Sequence, residues 1–225
     1  IAGASFAGLS VASKIKNKKV LLIDRKDIGT GVTSACGTTV NLLKKIKCEK
    51  SILQIFTKAV LHTKDDEIVV PLPEKYCTID YLKFCKLLNK QNTAKFVKAT
   101  VKGVQGNKVF SDKGNFEADV IVDCTGWGAV LASSLKKNYV KKHMLSFGIE
   151  TEIPYKKDNK LRFFVNPDII ENGAAWLFPC GKKARFGVAS YKGKTKLLPS
   201  LRKLLDRYNL KEGKYNVFHN RVVTS

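Results

Sequence analysis

The sequence of 225 residues lacks long apolar runs and lacks cysteine pairs at metal-binding spacing. No stretch approaches the roughly 18 consecutive apolar residues of a membrane-spanning helix, so we expect a soluble or peripheral protein. None of the six cysteines belongs to a C-x-x-C pair, which disfavours a zinc site, and we expect no bound metal. The cysteine pattern also favours reduced thiols and a cytoplasmic location, with peripheral contact to a membrane as an option.

Acidic residues and arginine are also scarce. The chain carries 41 basic residues against 19 acidic ones, a net charge of +22, yet only six of the basic residues are arginine. Nucleic-acid grooves usually use arginine forks and clustered basic stripes. Because the lysines here are scattered through every segment, nucleic acid is not the partner we expect. The charge is either a general surface composition or an attraction to a polyanion, such as anionic lipid head groups, a pyrophosphate ligand or nucleic acid.

Side chains with an obvious catalytic pattern are few. The three histidines, His62, His143 and His219, lie in predicted strands and show no pattern of partners. This placement favours surface or cross-strand positions over a role as a catalytic base. The scarcity fits an enzyme whose chemistry is supplied by a cofactor.

Periodicity predicts an α/β first part and a mostly β second part. The predicted helices span residues 6–16, 38–47, 79–88 and 197–208. Two apolar runs, 20–23 and 119–123, are typical of strands buried on both faces. The remaining predicted strands are a hairpin over 59–62 and 67–72, strands at 95–104 and 108–111, and short β segments from residue 139 onward. The order of these elements indicates two intertwined domains.

The opening of the chain is typical of a dinucleotide-binding βαβ turn. The fingerprint G-x-G-x-x-G occurs as Gly3-Ala4-Ser5-Phe6-Ala7-Gly8, with serine in place of the middle glycine. The first glycine permits the tight turn, the third permits close packing of helix and strand, and the helix start presents amides to phosphates. Asp24 follows 21 residues after Gly3 at the end of the next strand, a spacing at which a carboxylate can accept hydrogen bonds from a ribose. A βαβ unit that binds no nucleotide is the alternative.

Ser5 departs from the fingerprint. If its backbone takes a positive φ, the Cβ costs about 1 kcal/mol, which a hydrogen bond from its hydroxyl to a phosphate oxygen can offset. Our hypothesis is that Ser5→Gly tightens cofactor binding.

Three segments together resemble the geranylgeranyl reductase family, which belongs to the flavoproteins shaped like p-hydroxybenzoate hydroxylase. The first is AGASFAGLSVASKI…KKVLLIDRKDIG, ended by a loop with Cys36-Gly37. The second is ADVIVDCTGWGAVLASSL, which is similar to the second flavin-side segment of the group. The third, GAAWLFPCGKKARFGVA, resembles the substrate-cavity motif Y-x-W-x-F-P followed by G-x-G. Ala174 stands where the family usually has Tyr, and Tyr81 where an Arg usually helps to hold FAD.

This resemblance implies FAD as the cofactor and a specific domain arrangement. A Rossmann-like FAD-binding domain would comprise residues 1–57 and 76–138. An intertwined, mostly antiparallel β domain for the substrate would comprise 58–75 and 139–225. The family has a complete first strand before the first glycine and a third FAD motif near its end, so we expect this sequence to be part of a longer protein.

The resemblance also implies roles for particular residues. Cys36 would contact the flavin ring or help to deliver a proton, and an ordinary small loop residue is the alternative. The implied FAD contacts are Gly3, Ser5, Phe6, Ala7, Gly8, Asp24, Arg25, Cys36, Gly37, Asp123 and Gly126. The implied wall of the substrate cavity consists of Trp176, Phe178 and Pro179, with Phe147, Phe163 and Phe164 able to face the same space. An aromatic core cluster is the alternative for this wall.

The implied activity is reduction of C=C bonds in geranylgeranyl chains of lipids or their diphosphate precursors by reduced FAD. The implied partners are an isoprenoid lipid or prenyl diphosphate, an electron donor such as a nicotinamide cofactor or ferredoxin, and an anionic membrane surface. Two alternatives stay open. One is another flavoenzyme of the group, a monooxygenase, hydroxylase or halogenase, and the other is a non-enzymatic basic module that binds nucleotides or membranes.

Overall fold

The computed structural model describes residues 1–225 apart from 33, 142, 144, 157, 193–194, 212–214 and 222–225, and over 215–221 it describes the backbone alone. The helices are α1 (Phe6–Lys14), α2 (Val40–Lys45), α3 (Tyr81–Asn89), α4 (Val130–Leu135) and α5 (Leu197–Asp206). The strands are β1 (Leu21–Asp24), β2 (Gly37–Thr39), β3 (Ile52–His62), β4 (Glu67–Ile79), β5 (Lys95–Lys98), β6 (Val101–Gln105), β7 (Lys108–Ser111), β8 (Gly114–Glu117), β9 (Leu145–Pro154), β10 (Leu161–Phe164), β11 (Gly173–Pro179), β12 (Lys183–Ser190) and β13 (Tyr215–Arg221).

These elements form two compact units, each built from two separated parts of the chain. The first unit contains residues 1–31 and 81–141, and the second contains 32–80 and 142–225. The β3–β4 hairpin, which pairs from Ile52–Ile79 to His62–Glu67, lies entirely in the second unit. The domain boundaries expected from the sequence stay a prediction.

The first unit contains a small parallel sheet at the start of the chain. β1 pairs in parallel with β5, and Ala2 bridges both Ile23 and Asp123 in parallel. The order is therefore Asp123, Ala2, β1, β5, as in a βαβ arrangement. The prediction of a buried strand over 119–123 was wrong, because only its end pairs with the short opening segment and Val120 is 76% exposed. A separate antiparallel sheet contains β6, β7 and β8.

Helices α1 and α3 each bury one face. α1 buries Leu9 and Ala12 together with Gly8. α3 buries Tyr81, Phe84, Cys85 and Leu88, the i, i+3, i+4, i+7 spacing of an amphipathic helix. Both helices were predicted and are confirmed, although α1 ends at Lys14 rather than at residue 16 and α3 spans Tyr81–Asn89 rather than 79–88.

The second unit is organised around one eight-stranded sheet. Its order is β13-β9-β12-β11-β10-β3-β4-β2, and every neighbouring pair is antiparallel except β10 with β3. The expectation of a mostly antiparallel β domain is confirmed. The helix predicted over 38–47 begins only at Val40, because Gly37–Thr39 pairs with β4 and Thr39 then caps α2 by accepting the Leu42 amide at 3.3 Å.

The two faces of this sheet carry different clusters. On one face, the helix α5 residues Leu201, Leu204 and Leu205 pack in a cluster with buried residues of the sheet that include Phe164, Leu177 and Phe186. A second cluster comprises Phe56, Ala59, Leu161, Trp176 and Phe178. Because side chains alternate along a strand, Trp176 and Phe178 face opposite to Leu177. We call the two sides the α5 face and the tryptophan face.

Candidate functional site

The opening turn requires both of its glycines. Gly3 has φ +103°, and a Cβ at this position would lie 2.0 Å from the Cys124 carbonyl oxygen. A Cβ on Gly8 would lie 1.8 Å from the Gly3 carbonyl oxygen. The first glycine therefore permits the tight turn beside residue 124, and the third permits helix α1 to pack against the turn, as predicted from the fingerprint.

Helix α1 begins at this turn with Ser5 as its N-cap. The amides of the first helical turn have no acceptor within the helix, and the helix dipole places partial positive charge beside them. Phe6, Ala7 and Gly8 supply these amides, and Ala7 is exposed. This is the arrangement that binds phosphate groups at helix starts.

Ser5 does not take the positive φ that would strain a residue with a Cβ. Its backbone has φ −104° and ψ −156°, an extended conformation that any residue adopts. Its hydroxyl lies 2.8 Å from the Tyr81 hydroxyl, and Tyr81 is buried with its ring edge against Phe6 at a centroid distance of 5.1 Å. Ser5 and Tyr81, the two residues in this region that depart from the pattern of the reductase family, are therefore in contact.

Asp24 lies against the turn. Its Oδ2 accepts the Ala4 amide at 2.7 Å and its Oδ1 accepts the Lys26 amide at 2.9 Å. A carboxylate has about four acceptor positions, so acceptor capacity remains for ribose hydroxyls. Arg25 is exposed to solvent. The structure brings the turn, the helix start and Asp24 together. Their binding of the pyrophosphate and ribose of a dinucleotide stays a prediction.

Asp123 uses both carboxylate oxygens within the first unit. Oδ1 accepts the Thr125 amide at 3.0 Å and the Thr125 hydroxyl at 2.6 Å, while Oδ2 accepts the Ala132 amide at 2.9 Å. Burial acts to raise the pKa of Asp123, but these hydrogen bonds outweigh it and the pKa is lowered. The carboxylate thus caps the start of α4. Gly126 beside it has φ +78° with open space where a Cβ would point, so contacts of this segment with a cofactor stay a prediction.

Cys36 lies in the second unit in a constrained backbone. It is buried, has φ +53°, and donates from Sγ to the Ser34 carbonyl oxygen at 3.2 Å. A non-glycine residue in the left-handed region is uncommon and is often found at functional sites. The neighbouring Gly37 is exposed. The role of Cys36 toward a flavin stays a prediction.

Arg185, which was not among the predicted site residues, donates hydrogen bonds to the segment before Cys36. It is 7% exposed; Nη1 donates to the Ala35 and Ile79 carbonyl oxygens at 3.3 and 3.2 Å, and Nε donates to Glu152 at 3.2 Å. Burial acts to lower the pKa of Arg185, but nearby Cys36, Cys180 and acidic groups raise it overall. Its signal in the sequence is a single arginine within the apolar strand ARFGVA.

The aromatic wall is smaller than predicted, because only Phe163 of the three phenylalanines Phe147, Phe163 and Phe164 lies on it. Trp176 and Phe178 lie 6.1 Å apart, and Phe163 packs on Phe178 at 5.1 Å. Gly187 leaves room for the indole, since a Cβ there would lie 2.1 Å from the Trp176 ring. These residues share the tryptophan face.

Phe147, Phe164 and Pro179 do not belong to that wall. Their register pairs, Phe147–Ser190, Phe164–Ala175 and Pro179–Ala184, place all three on the α5 face. Phe164 is fully buried there and stacks on His62 at 4.4 Å. The grouping was wrong because residues one apart along a strand point to opposite faces.

The histidines fit their predicted structural roles where the side chains are described. His62 is buried and lies 3.4 Å from Glu67, its cross-strand partner. Burial lowers the pKa of His62; Glu67 acts to raise it, and Arg162 and Arg207 act to lower it. His143 is exposed, and the side chain of His219 lies outside the described part of the chain.

Glu150 is a second buried charged residue that was not among the predicted site residues. It is 1% exposed, and its Oε2 accepts the Trp176 indole N–H at 2.8 Å. Burial raises the pKa of Glu150 to about 7; the Trp176 hydrogen bond and Arg185 oppose the rise and Glu152 adds to it. The signal was available in FGIETEI, where alternation places Glu150 and Glu152 on one face of a strand in an apolar region.

The six cysteines are present as thiols. Within the described ranges, no group of three or more His, Cys, Asp or Glu side chains is arranged to hold a metal ion. Likewise, no described helix combines the length and apolar character needed to cross a membrane.

Comparison with solved structures identifies proteins of similar fold. No protein-family model matches the sequence, and no curated protein matches it. A geranylgeranyl bacteriochlorophyll reductase-like protein from Thermoplasma acidophilum superimposes with a TM-score of 0.80 at 16% identity, over 99% of this chain and 64% of that protein. The chain shares the fold of that protein. It spans less than two thirds of that reductase-like protein's length.

Two flavin halogenases share the fold. The flavin-dependent brominase Bmp2 gives a TM-score of 0.71 at 11% identity, over 97% of this chain and 65% of the brominase. A variant of the halogenase PltM in complex with FAD gives 0.63 at 12% identity, over 98% of this chain and 60% of the halogenase. At these identities the likeness establishes the fold, and the activity has to be argued from the residues.

Proposed function

We propose that this chain is the main part of an FAD-dependent oxidoreductase that reduces C=C bonds in geranylgeranyl chains of lipids or of their diphosphate precursors. The opening turn is the observation that supports FAD as the cofactor. In this turn Gly3 and Gly8 leave no room for a side chain, and the Asp24 carboxylate accepts a hydrogen bond from the Ala4 amide. A halogenase of the same fold is in complex with FAD. The apolar cluster of Trp176, Phe178 and Phe163 supports an isoprenoid chain as the substrate, and a geranylgeranyl bacteriochlorophyll reductase-like protein shares this fold.

In this proposal the first unit binds FAD and the second unit binds the substrate. The amides at the start of α1 bind the pyrophosphate of FAD, and Asp24 binds a ribose. FAD, when reduced, supplies the hydride that a double bond needs. Trp176, Phe178 and Phe163 on the tryptophan face bind the isoprenoid chain by burial of apolar surface, at about 25 cal/mol per Å². Lysines bind the phosphate of the head group, and a nicotinamide cofactor or ferredoxin supplies electrons.

The cofactor is tested first. Titration of the purified chain with FAD, followed by flavin fluorescence, should show saturable binding. Asp24→Asn, which keeps the shape of the side chain but removes its charge, should weaken binding about 10-fold, because hydrogen bonds to a charged acceptor contribute about 1.5–3 kcal/mol. Asp27→Asn, a change at a nearby exposed carboxylate that pairs with Lys98, is the control. Absence of FAD binding by the wild-type chain would overturn the proposal.

The reaction is tested next. The FAD-loaded protein, reduced chemically without oxygen, should add two hydrogens per double bond to a geranylgeranyl lipid, as measured by mass spectrometry. Cys36→Ser should lower this rate if the thiol takes part, whereas full turnover with bound FAD would show that it is a structural loop residue. The brominase likeness makes a halogenase or oxygenase the second candidate. Halide incorporation or oxygen uptake with an aromatic substrate, without lipid reduction, would identify that alternative.

A further inference from the structure

A cleft of about 570 Å³ opens on the second unit beside the end of helix α5. Every residue that lines it belongs to that unit. Tyr155, Tyr208 and Leu210 line the cleft and pack against the cluster of α5, and His62 stacks on Phe164 of the same cluster at 4.4 Å. The cleft therefore lies on the α5 face of the sheet, opposite the tryptophan face. Its volume is within the range of pockets that bind small molecules.

The two acidic residues of the cleft are already paired. Arg162 donates from Nε to Oδ2 of Asp158 at 2.8 Å, and its Nη1 lies 3.7 Å from Oε1 of Glu67. Nη1 of Arg162 also lies 3.3 Å from Nε2 of His62. Since an arginine only donates hydrogen bonds, Nε2 of His62 accepts this one, and Nδ1 carries the ring proton 3.4 Å from Oε2 of Glu67. Both carboxylates are therefore satisfied without the remaining cations of the cleft.

Four other side chains of the cleft present donors without an acceptor. Arg207 and Lys156 are exposed, and neither side chain forms a hydrogen bond or an ion pair with a residue that the structure describes. The hydroxyl groups of Tyr155 and Tyr208 likewise have no acceptor among the described residues. Burial raises the pKa of both tyrosines, that of Tyr208 to about 12, so both hydroxyls keep their protons at neutral pH. The cleft thus offers two positive charges and two hydroxyl donors to a ligand.

We propose that this cleft binds the phosphate group of an organic phosphate monoester. Such a group carries a charge of about −1.5 to −2 at pH 7 and three acceptor oxygens, which match the two cations and the two hydroxyls. The fork of Arg207 can bind two of the oxygens at once, and Lys156 adds a point charge. The rest of the cleft, with the apolar Leu210, accommodates the organic part. The inference does not depend on the proposed function, because the aromatic wall for the isoprenoid chain lies on the tryptophan face.

The site can be located with a soluble probe. Titration of the isotope-labelled chain with phenyl phosphate, followed by amide NMR spectra, should give saturable shifts of the amides of Tyr155, Arg162, Tyr208 and Leu210. Benzoate has the same ring but a single charge and fewer oxygens, so it should bind about 10-fold more weakly, as expected when a hydrogen bond to a charged group is lost. Unchanged amides at these positions, or equal affinity for benzoate, would overturn the proposal.

Matched variants separate this site from general attraction to a basic protein. Arg207→Gln should weaken phenyl phosphate binding at least about 10-fold, because it removes a charged donor. Arg202→Gln makes the same change at an exposed position of α5 outside the cleft and should alter affinity by less than about 2-fold. Tyr208→Phe, which removes only the hydroxyl, should cost about 5-fold. Equal losses in the two arginine variants would show that net charge alone attracts the phosphate, and would overturn the proposal.

Two further measurements identify the source of the phosphate and keep the two proposals apart. Sedimentation with phosphatidate vesicles that is lost in Arg207→Gln but kept in Arg202→Gln would support the cleft as a site for a lipid phosphate. Absence of vesicle binding, with phenyl phosphate bound, would support a soluble ester. Arg207→Gln should bind FAD with wild-type affinity. Failure of the wild type to bind FAD, with phenyl phosphate still bound in the cleft, would therefore overturn the proposed function and leave the phosphate site supported.

Discussion

The hydroxyl oxygens of Ser5 and Tyr81 lie 2.8 Å apart, although the residues are 76 positions apart in the chain. This hydrogen bond connects the N-cap of α1 to the start of α3 and occupies the Ser5 hydroxyl, which makes no cap bond to its own helix. The first turn of α1 therefore keeps its amides available, because the side chain that would ordinarily cap them is held by a tyrosine.

A double-mutant cycle should detect this bond. Ser5→Ala and Tyr81→Phe should each destabilise the protein, and the double variant should lose about 1 kcal/mol less than the sum, because both changes remove the same hydrogen bond. The measurement is the free energy of unfolding in urea. A cycle that pairs Ser5→Ala with Ser111→Ala, in the β7 hairpin, should be additive. Additivity of the first cycle would contradict the contact.

Gly8 should tolerate no larger residue. Gly8→Ala places a Cβ 1.8 Å from the Gly3 carbonyl oxygen, so helix α1 must move and FAD affinity should fall by at least about 10-fold, together with stability. Gly106→Ala is the control, because its Cβ meets nothing within 4 Å and only the φ of +55° is unfavourable, at about 1–2 kcal/mol. FAD titration of both variants tests this, and equal affinities would show that the turn does not bind the cofactor.

Arg185 and Lys183 both pair with Glu152 but differ in burial. Arg185→Met should lower the free energy of unfolding by about 3–5 kcal/mol, because it removes the buried partner of two carbonyl oxygens and a carboxylate. Lys183→Met should cost under about 1 kcal/mol, since the Lys183 side chain is 57% exposed. Urea denaturation measures the free energy of unfolding of both variants. Similar stabilities of the two methionine variants would contradict the role assigned to Arg185.

Arg185 should also restrict the reactivity of Cys36. Alkylation of Cys36, followed by mass spectrometry, should be faster in Arg185→Lys, because lysine keeps the charge but loses the planar fork of donors.

Asp123 should make the free energy of unfolding depend on pH in the acidic range. Its pKa in the folded state is lowered, so its stabilising contribution is present above the unfolded pKa of about 4 and is lost as the pH falls through the folded value. Asp123→Asn should be less stable than the wild type near pH 7, and the difference should shrink below about pH 4. Urea midpoints at several pH values measure this, with the exposed Asp119→Asn as the control. A constant difference over that range would contradict the assignment.

Local features of the sequence were sufficient to predict the opening turn. Gly3, Gly8 and Asp24 act over about twenty residues, and their roles follow from sterics within one βαβ unit. Helix α3 and most strands of the second unit were likewise predicted from local sequence patterns. The prediction of a buried strand over 119–123 was wrong, because an apolar composition does not show whether other segments pair with a strand and bury it.

The tertiary structure decided which distant residues act together. Alternation along a strand is encoded locally, but register between strands selects Phe163 rather than Phe164 to pack on Phe178. It also brings Trp176 over Gly187 to Glu150, and the sequence alone contains no signal for that contact. The composition, the glycine turn and the periodicities were determined by residues close along the chain, whereas the Glu150–Trp176 and Ser5–Tyr81 pairs exist only because strand pairing and helix packing bring distant segments within hydrogen-bonding distance.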